Sequence, residues 1–200
     1  KSYTIEVDNE DDFVSLGGVK LKKALDFWDI DCMDKTALDV GASNGGFTDL
    51  LLRRGAKEVY AVDVGECALA QILKNDKKVI IKDKLNARYM PFSAIGKKCD
   101  IITVDVSFIS LKLILPNLMQ FMHNTTHIIA LIKPQFEAGK AALDKKGIIK
   151  DKKTYDLVIS DIENFVKNLG LLHHGTIKAP HDFASKNQEY LIDLTKKHFT

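Results

Sequence analysis

The sequence predicts an open α/β sheet, mostly parallel, with helices on both faces. Three observations predict it. Short apolar runs alternate with helix-like segments over residues 37–170. Those runs are continuously apolar, as strands covered on both faces must be. A glycine-rich turn, "DVGASNGG", joins an apolar run to an amphipathic segment, the usual place for a ligand in such a sheet.

The elements follow in order. Residues 2–7, "SYTIEV", read as a linker or edge strand, and residues 1–15 as a linker preceding the domain at 16–200. In "KLKKALDFWDI" the residues Leu21, Ala24, Leu25 and Trp28 fall on one helical stripe. "TALDV" is the first strand, and "GGFTDLLLRRG" is a helix stopped by Gly55. "EVYAVDV", "KVIIKD", "CDIITVDVS" and "THIIALIKP" are the next four strands. "ALAQILKND" gives a helical turn or two, and "SLKLILPNLMQFM" a helix interrupted or started near Pro116. "DKKTYDLVISDIENFVKNLG" is a long amphipathic helix. "LLHHGTIKAP" and "QEYLIDLTKK" close the chain as a hairpin-like pair of strands. Between them, "FEAGKAALDKKGIIKDKK" is a long segment without a predicted element, and such segments are usually functional or mobile.

Composition narrows the functional classes. Two hundred residues with 46% hydrophobic content suffice for one sizeable core. The apolar runs are strand-sized, which speaks against a membrane span, and the polar, acidic start is unlike a secretory signal. Cys32, Cys67 and Cys99 are odd in number and far apart, so a disulfide framework and a zinc site are both poorly supported. Reduced thiols in a cytoplasmic protein are expected. The net charge of +2 does not by itself imply nucleic acid, although lysines cluster at 20–23, 77–84 and 145–153. The plain reading of such clusters is a solvated surface.

The glycine turn is more specific. Gly41 permits a tight turn, and Gly45 and Gly46 are read as letting a ligand approach the backbone. Asp63 ends the second strand, where a carboxylate can accept from both hydroxyls of a ribose. The pattern is neither G-x-G-x-x-G nor a phosphate loop. A nucleoside without a pyrophosphate fits better, and S-adenosyl-L-methionine is such a ligand. The plainer alternative is an ordinary strand-to-helix turn whose glycines serve packing. Farther along, Asp105 and Lys133 end the fourth and fifth strands and open onto the same edge. A lysine at the end of a buried strand needs a partner, and Asp105 is the natural one.

With these residues in view, "SLGGVKLKKAL", "LDVGASNGGFTDLLLRRGAKEVYAVDVG", "DVSFISLKLILP", "LIKPQFEAGK" and "NQEYL" resemble the hemolysin A/TlyA family, FtsJ-like ribosomal RNA 2′-O-methyltransferases. The resemblance implies a Rossmann-like S-adenosylmethionine-dependent methyltransferase fold with an antiparallel C-terminal strand. It implies a catalytic set of Lys20, Asp105, Lys133 and Glu189. It implies a cofactor set of Gly41, Ala42, Ser43, Gly45, Gly46, Phe47, Thr48, Asp63, Val64, Leu85, Asn86 and Asp105. Lys133 is expected to act as base or hydroxyl-orienting group, Lys20 as its electrostatic partner and Asp105 as organiser. Glu189 is expected to position Lys20 or the ribose. A second lysine, the sulfonium and partial burial are expected to make Lys133 easier to deprotonate, with Asp105 opposing them. No metal is needed for this chemistry. Ribosomal RNA or a ribosomal subunit is the implied partner, lying over Lys20, Lys22, Lys23 and the 145–153 segment. The family usually carries an S4-type RNA-binding domain in front, and this chain, starting at Lys1, is expected to begin after it. The chain departs from the family at Leu16, where Arg is common, at Lys186, where Gly is common, and at Cys67 and Ala68. Three other readings stay open: a non-catalytic RNA- or cofactor-binding module, a membrane-active hemolysin, and a methyltransferase acting on a protein or small molecule.

Overall fold

The computed structural model describes residues 13–180 and 187–197. The run at 2–7 and Lys186 lie outside them. The strands are β1 (Thr36–Val40), β2 (Glu58–Val62), β3 (Val79–Lys82), β4 (Cys99–Val104), β5 (Met122–Ile132), β6 (Leu171–Lys178) and β7 (Tyr190–Lys196). The helices are α1 (Gly17–Phe27), α2 (Gly46–Arg53), α3 (Gln71–Lys74), α4 (Leu111–Leu118), α5 (Pro134–Glu137) and α6 (Lys153–Asn168). One seven-stranded sheet runs in the order β3-β2-β1-β4-β5-β7-β6. β1 to β5 are parallel to one another, and β7 lies antiparallel between β5 and β6. The hairpin-like pair is therefore real, with its second strand inserted next to β5 and its first left at the sheet edge.

Alternation along the strands divides the core into two layers. Leu38, Val40, Ile102, Val104, Ile128, Ala130 and Ile132 face α4 and α6, where Ile114, Leu115, Leu118, Ile162 and Val166 meet them. Ala37, Ile101, Ile129 and Leu131 face α1 and α2, where Leu21, Leu25, Phe47, Leu50 and Leu51 close the other side. A strand buried on both faces gains from both layers, at about 25 cal/mol per Å² of apolar surface. This is why these runs carry no polar alternation.

Several elements depart from their expected bounds. α1 begins at Gly17, before the apolar stripe, because its first turn packs against α2. Pro116 sits inside α4, not at its start. β5 begins four residues early, with His123 Nε2 3.0 Å from an Asp100 oxygen and Thr126 donating to the Cys99 carbonyl. His173 and His174 are features of β6; His173 contacts Thr176, and His174 contacts Thr195.

All three cysteines are free and buried. Burial pushes the thiol of Cys32 up to about 11. Burial also pushes those of Cys67 and Cys99 up to about 12.

Gly41 carries a tight backbone constraint. It adopts φ +82°, and a Cβ there would stand 2.2 Å from the Asp105 carbonyl oxygen. Asp105 N–H in turn donates to the Val40 carbonyl at 2.9 Å. Gly41→Ala is expected to cost at least about 3 kcal/mol, combining left-handed strain with backbone overlap. Urea unfolding of the variant checks this, and a loss under about 1 kcal/mol would mean the two strand ends part easily.

Candidate active site

The carboxyl ends of β1, β2, β4 and β5 share one edge of the sheet. Two adjoining cavities open there, of 430 and 470 Å³. The first is lined by Val40, Gly41, Ser43, Val62, Asp63, Val64, Leu85 and Asn86, and by the loop from Asp105 to Ile109. The second is lined by residues 14–17, Lys20, residues 41–44, Gly46, Phe47 and Asp105. Gly41, Ser43 and Asp105 belong to both.

Asp63 anchors the glycine turn. Its Oδ2 accepts from the Ser43 N–H at 2.9 Å and its Oδ1 from the Gly65 N–H at 3.2 Å. Ser43 is held at φ +50°, a left-handed position that non-glycine residues adopt at some cost. The turn is thus preshaped around a carboxylate with acceptor capacity to spare. The rest of the first cavity is mainly apolar side chain. That combination fits a nucleoside: a flat base against apolar walls, with a carboxylate for its hydroxyls.

Most of the expected cofactor residues line one cavity or the other; Gly45 and Thr48 line neither. A Cβ on Gly45 would stand 2.3 Å from Leu73 of α3. A Cβ on Gly46 would stand 2.1 Å from Ser15 Oγ and 3.0 Å from the Gly18 nitrogen. Both glycines therefore make room for helix packing, and Gly46 also lines the second cavity. Thr48 is fully buried and donates its hydroxyl to Asp39 at 2.7 Å. Cys67 is buried, and it and Ala68 line neither cavity. Leu16 is exposed on the rim of the second.

The four catalytic candidates form two ion pairs. Lys133 Nζ lies 2.6 Å from Asp105 Oδ1, and also donates to Ser107 Oγ at 2.9 Å. Lys20 Nζ donates to Glu189 Oε2 at 2.7 Å. Both lysine side chains are only 12% exposed. The strands explain the convergence. Val104 pairs with Ala130 and Ile132 pairs with Tyr190, so Asp105, Lys133 and Glu189 leave neighbouring strands at the same edge. α1 brings Lys20 over the end of β7.

Some contributors carried no sequence signal of their own. Ser107 takes a hydrogen bond from Lys133. Glu137 accepts from the Ser110 hydroxyl and the Leu111 N–H, capping α4 and tying the loop after Asp105 to the turn after Lys133. Burial raises its carboxyl above the ordinary glutamate range, against those hydrogen bonds. Phe108 is held at φ +63°, 90% exposed, with its ring 4.9 Å from that of Phe136. Glu137 lies in the run "IKPQFEAG" with no pattern of its own to mark it, and nothing marked the exposure of Phe108.

Fold and cleft together define a Rossmann-like methyltransferase architecture. The chain belongs to the FtsJ-like methyltransferase family, whose model matches residues 13–196. It is 41% identical to the candidate rRNA methyltransferase YqxC of Bacillus subtilis (strain 168) over 91% of this chain and 65% of that protein. It thus spans just under two thirds of that relative. It is 38% identical to the 16S/23S rRNA (cytidine-2′-O)-methyltransferase TlyA of Mycobacterium tuberculosis (strain CDC 1551 / Oshkosh), over 96% of this chain and 72% of that one. The crystal structure of a candidate hemolysin from Lactococcus lactis is similar, with a TM-score of 0.89 and 39% identity. That match covers 92% of this chain and 89% of the other.

Asp39 lies beneath the site, fully buried, accepting from the hydroxyls of Thr48 and Thr103. Burial raises its carboxyl from 3.8 to about 6, against those two hydrogen bonds. The folded state therefore keeps the proton longer than the unfolded chain. Asp39 lowers stability as pH rises from about 4 to about 6, by up to about 3 kcal/mol. Asp39→Asn removes that titration. Urea unfolding at about pH 4 and pH 7 is expected to show the variant gaining on the native protein at the higher pH. A pH-independent difference would mean that Asp39 ionises as readily in the fold as outside it.

Proposed function

We propose that this protein transfers the methyl group of S-adenosylmethionine to a ribose 2′-hydroxyl of ribosomal RNA. The observation that carries the reading is the pair of lysine–carboxylate contacts that reach the two cavities through Asp105 and Lys20. The relatives' names support the same substrate, and TlyA's supports cytidine as the nucleotide. Ribosomal RNA as substrate also favours a cytoplasmic place of work.

The cofactor supplies a methyl group already activated by its sulfonium. What the chain must add is alignment of the attacking oxygen and removal of its proton. Lys133, fixed by Asp105 and Ser107, holds the ribose hydroxyl in place and, in its neutral form, accepts the proton at Nζ. Lys20, held by Glu189, lies on the wall of the second cavity and stabilises the oxygen as negative charge develops. Asp63 takes the cofactor's ribose hydroxyls. Phe108 offers an exposed ring beside the cleft, suited to stack an unpaired base.

A membrane-lytic role has less support. Among the described residues no helix is long and apolar enough to cross a membrane, and the apolar runs are used by the two core layers. No group of three potential metal ligands occurs among the described residues.

Mapping of 2′-O-methyl groups on ribosomal RNA, with and without this gene product, tests the reading directly. Lys133→Ala is expected to lower kcat by about 10²- to 10⁴-fold while cofactor affinity changes little. Near-native methylation by that variant, with cofactor still bound, would remove Lys133 from its assigned role.

A further inference from the structure

We propose that Asn187 is a positioning residue. It fastens a basic hairpin, residues 138–152, beside the site, so that the hairpin's lysines bind phosphates of the RNA strand flanking the target ribose. The proposal rests on the reading of RNA as substrate.

The hairpin is the long segment for which the sequence predicts no element. It has a definite shape. Leu143 and Ile149 form an antiparallel bridge. Asp144 N–H donates to the Ile148 carbonyl at 2.8 Å, and Asp144 Oδ1 accepts from the N–H groups of Lys146 and Ile148. A turn with these bonds is ordered before any ligand arrives.

Asn187 attaches this hairpin to the body of the protein. Its Oδ1 accepts from the Ile149 N–H at 3.0 Å and from the Tyr155 hydroxyl at 3.3 Å. Its Nδ2 donates to the Gly147 carbonyl at 2.9 Å. Asn187 is 7% exposed and Ile149 8%, so the junction is buried. An apolar side chain would fill the same space without fixing the hairpin's direction. A buried amide satisfied by the backbone of another segment fixes both position and angle.

The hairpin is rooted at the reaction site on both sides. α5, which leads into it, starts directly after Lys133. Asn187 stands two residues before Glu189, the partner of Lys20. The hairpin carries five lysines against two aspartates. Lys140, Lys145, Lys146, Lys150 and Lys152 are all exposed. Lys150 Nζ donates to the Ala141 carbonyl, and the other four make no ion pair with the described residues. An excess of exposed ammonium groups on a preordered arm suits a polyanionic strand. Ordering the arm in advance lowers the entropy lost on binding.

The test uses the whole protein and its ribosomal RNA substrate. Native protein, Asn187→Ala, Asn187→Asp and the double variant Lys145→Ala/Lys146→Ala are compared. For each, KM for RNA, kcat, cofactor Kd and the salt dependence of RNA binding are measured. Asn187→Ala is expected to raise KM for RNA about tenfold and flatten the salt dependence, with cofactor Kd unchanged. The lysine pair is expected to lower the salt slope by about 1.4, two phosphate contacts on a single strand, without a change in thermal stability. Asn187→Asp keeps both acceptor bonds and is expected to fall between native protein and Asn187→Ala. Unchanged KM and slope in Asn187→Ala would overturn the proposal. So would a loss confined to kcat and cofactor binding, the signature of a purely structural residue. Should Asn187→Ala fail to fold, the Asp variant and the lysine pair decide alone. If the native protein methylates RNA and these variants match it, the hairpin proposal falls and the enzymatic reading stands; if the native protein methylates no RNA, both fall.

Discussion

Ile132 faces Tyr190 across the antiparallel ladder between β5 and β7, and the site depends on that register. It brings Glu189 alongside the strand end that carries Lys133, within reach of Lys20 on α1. A slip of one residue would turn the side chains of β7 to the opposite face of the sheet. Glu189 would then leave Lys20, and Leu191 would leave the layer beneath α1. The same register thus serves core and site, and neither can be changed without the other.

The floor of the site is built from contacts too close for side chains. Gly41 passes against the carbonyl of Asp105, and Gly46 lets the first turns of α1 and α2 meet. These approaches set the distance between the nucleoside cleft and the two lysines. Asp39 lies below them as a tie between α2 and β4, through Thr48 and Thr103. Its cost in burial is the kind that a packed hydrophobic residue would avoid, and it marks a place where geometry outweighs stability.

Much of the fold was legible in the sequence, for physical reasons. Strands covered on both faces leave uninterrupted apolar runs, and strand ends at one edge leave a turn, a carboxylate or a lysine behind them. Asp63, Asp105 and Lys133 could be placed from that alone. Lys20 and Glu189 could not, because they come from the two ends of the chain and only a family likeness linked them. The insertion of β7 beside β5 was hidden, since periodicity says nothing of which strand lies next to which. The reasons for Gly45 and Gly46 were hidden as well, because a glycine needed by a ligand and one needed by a neighbouring helix look alike in one dimension. The hairpin at 138–152 had no periodicity to read, because its shape comes from a turn and one distant amide.

The buried thiols have a consequence for how the protein ages. With ionisation pushed up to about 11 or 12 in all three cysteines, the thiolate needed for disulfide exchange or alkylation is scarce at neutral pH. Folded chains therefore stand apart from the redox poise of their surroundings, and sulfur chemistry becomes a clock of unfolding: each modified cysteine records an excursion in which the core came open.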